Sequence, residues 1–367
     1  MRIAHVIGRL SVGGAERHFV NLLNAMEGHE RHAILISPPG DGPSLADQLR
    51  PEVSVHFVPV SRRRLPLDIP KLAGLIRSLR LDVVHTHMFW ASLYGAVAGR
   101  LAGAGAIFTT EHGENRWKTA THRWLERRVI SPLADCRYCV SPQILEARRD
   151  RDGVPSDKLR IVANGVPLPD VSARHAPPVP VIGSVGRFVS QKAFPDLVHA
   201  AALLRDEGHE FRLVIVGDGV ERKAVEAAVE RFALSDRVEL TGIRMDVADI
   251  LSGLSLFASS SIQEGQPLAL LEAMAWGLPC VVTDVGAVAA TLKNGVEGQI
   301  VEPGNPRALA TALARYLDSR ELADAAGTAA RQRVEREFSS HAVALRHLND
   351  YQGCLRRKGL LTGESPA

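Results

Sequence analysis

The chain has 367 residues, of which 46% are apolar and 23% charged, and its formal net charge is +3. That length predicts about two domains, because domains usually run to roughly 100–200 residues. The composition is that of an ordinary soluble globular protein, and no apolar run approaches the roughly 18–20 residues that a bilayer-spanning helix needs. Charge is divided unevenly, with 23 Lys and Arg against 17 Asp and Glu in residues 1–170, and 21 against 24 in residues 171–367. No recognisable nucleic-acid module accompanies the basic half, so nucleic acid is not expected as a partner.

Met1-Arg-Ile-Ala-His-Val-Ile-Gly8 predicts a first strand rather than a secretory leader, because His5 interrupts the apolar run and charge follows soon. A cytoplasmic protein is expected. Gly8-Arg-Leu-Ser-Val-Gly13-Gly14-Ala-Glu-Arg17 then opens a helix over 15–26, and its glycines would let backbone approach a phosphate closely. The G-x-G-x-x-G spacing is missing and the second strand, at 32–37, ends at Ser37 rather than an acid, so a dehydrogenase fingerprint is not present. Further strands are predicted at 53–58, 82–85, 106–110, 137–140 and 160–162, with helices over 70–79, 91–101 and 123–130 between them. Strands alternating with helices predict a parallel sheet covered on both faces.

Within this half, His85-Thr-His87 ends one strand and Thr109-Thr110-Glu111-His112-Gly113 ends the next. Histidines at neighbouring strand ends can bond a sugar hydroxyl or exchange a proton near neutral pH. No carboxylate of ligand spacing joins them, so no metal is expected. Trp117 and Trp124 are seven apart, hence on one helix face, among Arg116, Lys118, Arg123, Arg127 and Arg128; Arg62-Arg63-Arg64 adds to the positive charge. A basic aromatic helix suits an anionic membrane surface, and a solvated basic face is the alternative. Cys136 and Cys139 are three apart on a predicted strand, which sets them on opposite faces, and they read as free thiols.

Pro-rich residues 166–180 form the best linker in the chain. Strands then restart at 181–186, 212–216, 238–240, 255–258 and 279–283. Gly183-Ser-Val-Gly186-Arg187-Phe-Val-Ser-Gln-Lys192 is not a P-loop, since Gln191 stands where glycine is needed and Ala193 follows the lysine. What remains is Arg187 and Lys192 at the mouth of a sheet, where two cations could neutralise a departing diphosphate. Pro267-Leu-Ala-Leu-Leu-Glu272-Ala-Met-Ala-Trp-Gly277 predicts a short helix that Pro267 begins and Gly277 ends. It is apolar all round and so buried, apart from Glu272, whose charge needs a hydrogen-bonding partner. A sugar or ribose would supply one, and so would an Arg within an ordinary core. Glu264 lies just ahead of the helix, where backbone N–H groups of Gly265 to Leu268 favour an anion. Two carboxylates for hydroxyls around an anion-binding helix tip describe a sugar-nucleotide pocket. A last helical stretch, about 321–357, has no strand after it.

Together these loops resemble the retaining glycosyltransferases of family 4, and the similarity runs from Gly13-Gly14-Ala-Glu-Arg17 to the final helix. Glu264-Gly-Gln-Pro-Leu-Ala-Leu-Leu-Glu272 followed by Ala273-Met-Ala-Trp-Gly-Leu-Pro279 is similar to that family's Glu-x7-Glu segment. Asn164-Gly165-Val166 and Val216-Gly-Asp-Gly219 resemble its linker approach and a second-domain strand end. The resemblance implies an α/β GT-B fold of two facing Rossmann-like, doubly wound domains with a cleft between them. Residues 1–170 would bind the acceptor, 171–335 the nucleotide sugar, and 336–367 would cross back to the first domain.

It also implies roles. Arg187 and Lys192 would bind the donor diphosphate, Glu272 the ribose hydroxyls, and Glu264 the transferred sugar. Gly14 and the backbone of Gly265, Gln266, Pro267 and Leu268 would border diphosphate and sugar, while Gly242 and Ile243 would frame the base. His112 is similar to the family's active-site histidine. Gln266 departs from the family's usual apolar residue, and its amide could bond a particular sugar hydroxyl. The implied reaction moves a sugar from UDP or GDP to a hydroxyl of a glycan or lipid-linked saccharide, for cell-envelope or polysaccharide synthesis, with retention at the anomeric carbon. Catalysis would fall to His112, Glu264, Arg187 and Lys192, with no metal or other cofactor and with the enzyme at the inner face of the membrane. A sugar-nucleotide 2-epimerase of the same fold and a non-catalytic sugar-nucleotide-binding protein are the alternatives.

Overall fold

A computed structural model of the protein describes residues 1–61, 65–113, 115, 117–174 and 177–361. Arg62, Arg63, Arg64 and Arg116 lie outside the described residues. The chain divides into two compact units, one of residues 1–165 with 340 onward, the other of Val166–Ser339.

The first unit holds seven strands: β1 (Arg2–Ile7), β2 (Glu30–Leu35), β3 (Val53–Phe57), β4 (Val83–His87), β5 (Ala106–Glu111), β6 (Cys136–Cys139) and β7 (Leu159–Ile161). Their order is β3-β2-β1-β4-β5-β6-β7, and every pairing is parallel. Central strands of such a sheet are covered on both faces and read as continuous apolar runs; β4 and β5 are buried at every position. The helix Ser340–Arg357 buries Val343, Ala344, His347, Leu348, Tyr351 and Leu355, a helical stripe that joins the core beneath Phe108 and Tyr138. The predicted continuous helix over 321–357 is therefore broken. It runs Arg320–Arg333, passes through a wider turn Val334–Phe338, and stops at Ser339, whose backbone is extended at φ −63°, ψ 144°.

The second unit has β8 (Val181–Val185), β9 (Arg212–Val216), β10 (Val238–Gly242), β11 (Leu256–Ser259), β12 (Cys280–Thr283) and β13 (Gly298–Val301) in the order β10-β9-β8-β11-β12-β13, again all parallel. β13, a four-residue edge strand beginning with glycine, carries too short an apolar run to be expected from the sequence.

In each sheet the order reverses beside the first strand, between β1 and β4 and between β8 and β11. Ligands of doubly wound sheets bind outside the carboxyl ends of the strands at such switch points. The loops after β1 and β4, and after β8 and β11, are therefore the places to look for chemistry. No described helix is long and apolar enough to cross a membrane. All four cysteines are free and buried.

Candidate active site

In the second unit the two switch-point loops are stitched together. After β8 the chain makes a short 3-10 turn, Ser190–Lys192, and Ala193 leaves it in the left-handed region at φ 45°. Ser260, following β11, donates its hydroxyl to the carbonyls of Lys192 (2.9 Å) and Ala193 (3.0 Å), and Ile262 N–H donates to Gln191 O at 2.8 Å. The Lys192 stem crosses Gly186, where a Cβ would stand 2.9 Å from its Cε, so a side chain at 186 would displace it. These constraints bring Lys192 Nζ to 2.5 Å from Glu264 Oε1, which also accepts from Ser261 Oγ at 2.8 Å. Lys192 and Glu264 are half-buried, with 20% and 13% of their side chains exposed. Arg187 is exposed beside them in the chain and has no ion-pair partner among the described residues.

The helix after this loop spans Leu268–Ala275, with Pro267 as its N-cap residue (φ −71°, ψ 111°) rather than its first helical residue. Gly277, at φ +68°, ends it. Leu268, Leu270, Leu271, Ala273, Met274 and Ala275 are buried, as the apolar sequence requires. Glu272 and Ala269, one turn apart, are half-buried. Gln266 is buried and donates to Thr291 Oγ1 at 3.1 Å. Its amide is held inside the unit, contrary to the expectation that it would face a sugar. Gly265 O accepts from Ala287 N–H at 2.7 Å, anchoring the loop from below. Across the switch point, β10 ends at Gly242, and Ile243 is 53% exposed at that edge.

In the first unit, Gly14 opens the helix Gly14–Ala25 after β1, exposed and with nothing within 4 Å of where a Cβ would stand. His112 follows β5. Parallel register sets His5 beside His85 and His87 beside Thr110, and β4 continues far enough that His85 and His87 share a face. Six imidazoles result in one cluster: His5, His18, His85, His87, His112 and His347. His5, His18 and His347 carried no role in the sequence reading, which treated His5 as an interruption of an apolar strand. One ligand atom each of His5, His85 and His87 lies within 4.8 Å of the others. Each nitrogen of these three rings, however, is hydrogen-bonded to a hydroxyl or another imidazole, and among the described residues no carboxylate joins the set.

Burial holds these rings neutral. It lowers His5, His18, His85 and His87 well below the usual histidine value, with neighbouring imidazoles adding to the effect. Burial also lowers His112 to about 4, against a smaller opposing pull from the Glu111 carboxylate, and His347 to about 4. In the unfolded chain the same groups titrate near 6.5. Below that pH the unfolded state binds more protons, so acid favours unfolding. Thermal stability is expected to be level above about pH 7 and to fall continuously from about pH 6.5 toward pH 4. A melting temperature constant over that interval would contradict the neutral cluster.

Beside His112 lies a buried ionic network. Lys118 Nζ contacts Glu111 Oε2 at 2.9 Å and Glu126 Oε1 at 2.5 Å, Arg137 bonds Glu126, and Arg148 reaches Glu111 at 3.4 Å. Lys118 is thus an interior residue, not part of a basic surface. Trp117 precedes the helix Ala120–Leu125 that carries Trp124, so the two tryptophans do not share a helix, although both are exposed.

Comparison with known proteins agrees with this arrangement. Residues 12–169 match the model of Glycosyltransferase Family 4 and residues 171–333 that of Glycosyl transferases group 1. The chain is 31% identical to N-acetyl-alpha-D-glucosaminyl L-malate synthase of Bacillus anthracis, over 90% of this chain and 91% of that protein. It is 28% identical to the UDP-Gal:alpha-D-GlcNAc-diphosphoundecaprenol alpha-1,3-galactosyltransferase of Escherichia coli, covering 88% and 89%. In fold it is similar to Anabaena HepE solved in complex with UDP, with a TM-score of 0.81 at 17% identity, covering 96% of this chain and all of that one. Two Rossmann-like sheets, chemistry-bearing loops at their switch points and these matches lead to one conclusion: the chain belongs to the group 1, family 4-type glycosyltransferases of GT-B fold.

Proposed function

We propose that this glycosyltransferase moves a hexose from a UDP- or GDP-sugar to a hydroxyl of a glycan or lipid-linked saccharide with retention of anomeric configuration. The single observation that carries this reading is the pairing of Lys192 with Glu264 at the β8–β11 switch point, with Arg187 exposed in the same loop. A net positive loop beside a helix N-terminus suits a diphosphate. The half-exposed Glu272, one helical turn on, suits the ribose hydroxyls. Glu264 suits the transferred sugar, with the Gly265–Leu268 backbone bordering it. By the family resemblance Gly14 and His112 would serve the sugar and diphosphate, and Gly242 and Ile243 the base.

In this reading the diphosphate departs as its charge is met by Lys192 and Arg187, and the acceptor hydroxyl attacks on the face just vacated. The leaving phosphate takes the acceptor's proton, so the protein supplies electrostatic stabilisation rather than a nucleophile, and no metal or other cofactor is required. The name of one relative supports the substrate class: it uses UDP-galactose with a diphosphoundecaprenol-linked acceptor. The exposed Trp117, Trp124, Arg127 and Arg128 would favour contact with anionic lipid at the inner membrane face.

The test is incubation with UDP- and GDP-hexoses, with and without glycan or undecaprenyl-linked acceptors, followed by NMR of the anomeric proton. The expected product keeps the donor's anomeric configuration, and donor alone stays intact or hydrolyses slowly. An inverted product would refute retention. Epimerised nucleotide from donor alone would identify a 2-epimerase instead.

A further inference from the structure

The imidazoles behind His112 are not merely packed together; they form a single file of hydrogen bonds. His112 Nε2 meets His87 Nδ1 at 3.2 Å, and His87 Nε2 meets His5 Nδ1 at 3.0 Å. His5 Nε2 meets Tyr351 Oη at 3.5 Å, and Tyr351 Oη also bonds His85 Nδ1. His85 Nε2 then meets Thr110 Oγ1 at 2.6 Å. Apart from half-buried His112, every member is buried. The file links the end of β5, the cores of β4 and β1, and the helix Ser340–Arg357 within the first unit.

A neutral imidazole has one N–H and one lone pair, so each ring must donate on one side and accept on the other. Tyr351 has one proton and must spend it on either His5 or His85. The file therefore has two consistent polarities, in which its four histidines are all Nδ1–H or all Nε2–H. Thr110 decides between them. Among the described residues its hydroxyl has no partner other than His85, so its proton is satisfied only if it donates to His85 Nε2. A buried donor left unpaired is costly. With Thr110 donating, His85 Nδ1–H donates to Tyr351, Tyr351 to His5 Nε2, His5 Nδ1–H to His87, and His87 Nδ1–H to His112 Nε2. His112 is left with its proton on Nδ1, for which no described residue is a partner.

We propose that Tyr351, His5 and His87 are positioning residues that lock His112 as its Nδ1–H tautomer, so that it meets the sugar nucleotide as a fixed hydrogen-bond donor. The role of the donated bond rests on the proposed function; the tautomer does not. The neutrality that burial imposes on these rings agrees with it. A neutral donor can bond a sugar hydroxyl or a phosphoryl oxygen but does not withdraw the acceptor's proton, which leaves that step to the departing phosphate. No net proton movement along the file is involved.

The experiment is imidazole ¹⁵N–¹H correlation NMR on the full chain labelled with ¹⁵N-histidine at pH 7, without ligand. Each signal is assigned by its loss in a single His→Gln variant. The expected result is the Nδ1–H pattern for His112, His87, His5 and His85 together. In Tyr351→Phe the coupling is cut, and His112 should lose its single pattern and show both tautomers, while a thermal melt confirms folding. His112 found as Nε2–H, mixed tautomers among the four in the unaltered chain, or an unchanged His112 signal in Tyr351→Phe would overturn the proposal. The first reading is made on the unaltered protein and so decides the matter even if Tyr351→Phe does not fold. Neither reading needs a substrate, so the proposal and the transferase chemistry can fail separately.

Discussion

Replacing Lys192 with Ala should lower the transfer rate at saturating donor by about 10²–10³-fold, the loss typical when one preorganised partner of a developing oxyanion is removed. Three constraints fix the position of Lys192. Ser260 holds its carbonyl, Gly186 makes room for its stem, and Glu264 holds its ammonium. That preparation is what allows a charge to stabilise a transition state without first reorganising. Folding should suffer little, because the pair with Glu264 is partly exposed and Ser261 continues to hold Glu264. The measurement is single-turnover transfer alongside a thermal melt. A rate within a few-fold of the unaltered enzyme would remove the leaving-group argument.

Lys118→Met should have the largest effect on stability. Its ammonium is fully buried between Glu111 and Glu126, with Asp152 at 4.0 Å. Burial alone would push the Glu126 carboxyl up, but the Arg137 and Lys118 cations outweigh it and hold that carboxyl at about 2. Truncating one member of a buried ion network leaves its partners without compensation, at a cost of about 3–5 kcal/mol. For a unit of this size the melting temperature should fall on the order of 10 °C. Glu111 immediately precedes His112, and Asn115 Nδ2 donates to its other oxygen at 2.5 Å. The substitution should therefore also loosen the His112 loop. A melting temperature within a degree or two of the parent would show that the network is not holding the fold.

The same residue shows where sequence reasoning stops. Lys118 sits among arginines and tryptophans and reads as surface charge, whereas the acids that bury it arrive from β5 and from the turn Glu126–Ile130. Spacing along a chain does not reveal a network assembled across a sheet. The histidine cluster was half-visible for the same reason. His85, His87 and His112 mark strand ends, but His5 becomes their neighbour only through the register of β1 on β4, and Tyr351 only through the packing of the last helix. The break at Ser339 was invisible to periodicity because helical patterning continues on both sides of it.

By contrast, the alternation of apolar runs and helices made both sheets legible; Glu264, Arg187 and Lys192 stood out as candidates because they lie in loops after strands, and Glu272 as the one charge on an apolar helix. Packing then revised the details. Gln266 turned inward to Thr291, and Pro267 caps the helix instead of opening it.

The proposed transfer first requires a nucleotide seated against the helix Leu268–Ala275. Calorimetric titration of the full chain and of Glu272→Ala with UDP and with GDP tests this most directly. One of the two nucleotides should bind the unaltered chain, and Glu272→Ala should weaken that binding by about 10–100-fold, as expected for hydrogen bonds to a charged group worth about 1.5–3 kcal/mol. Equal affinity in both proteins, or no binding of either nucleotide, would contradict it.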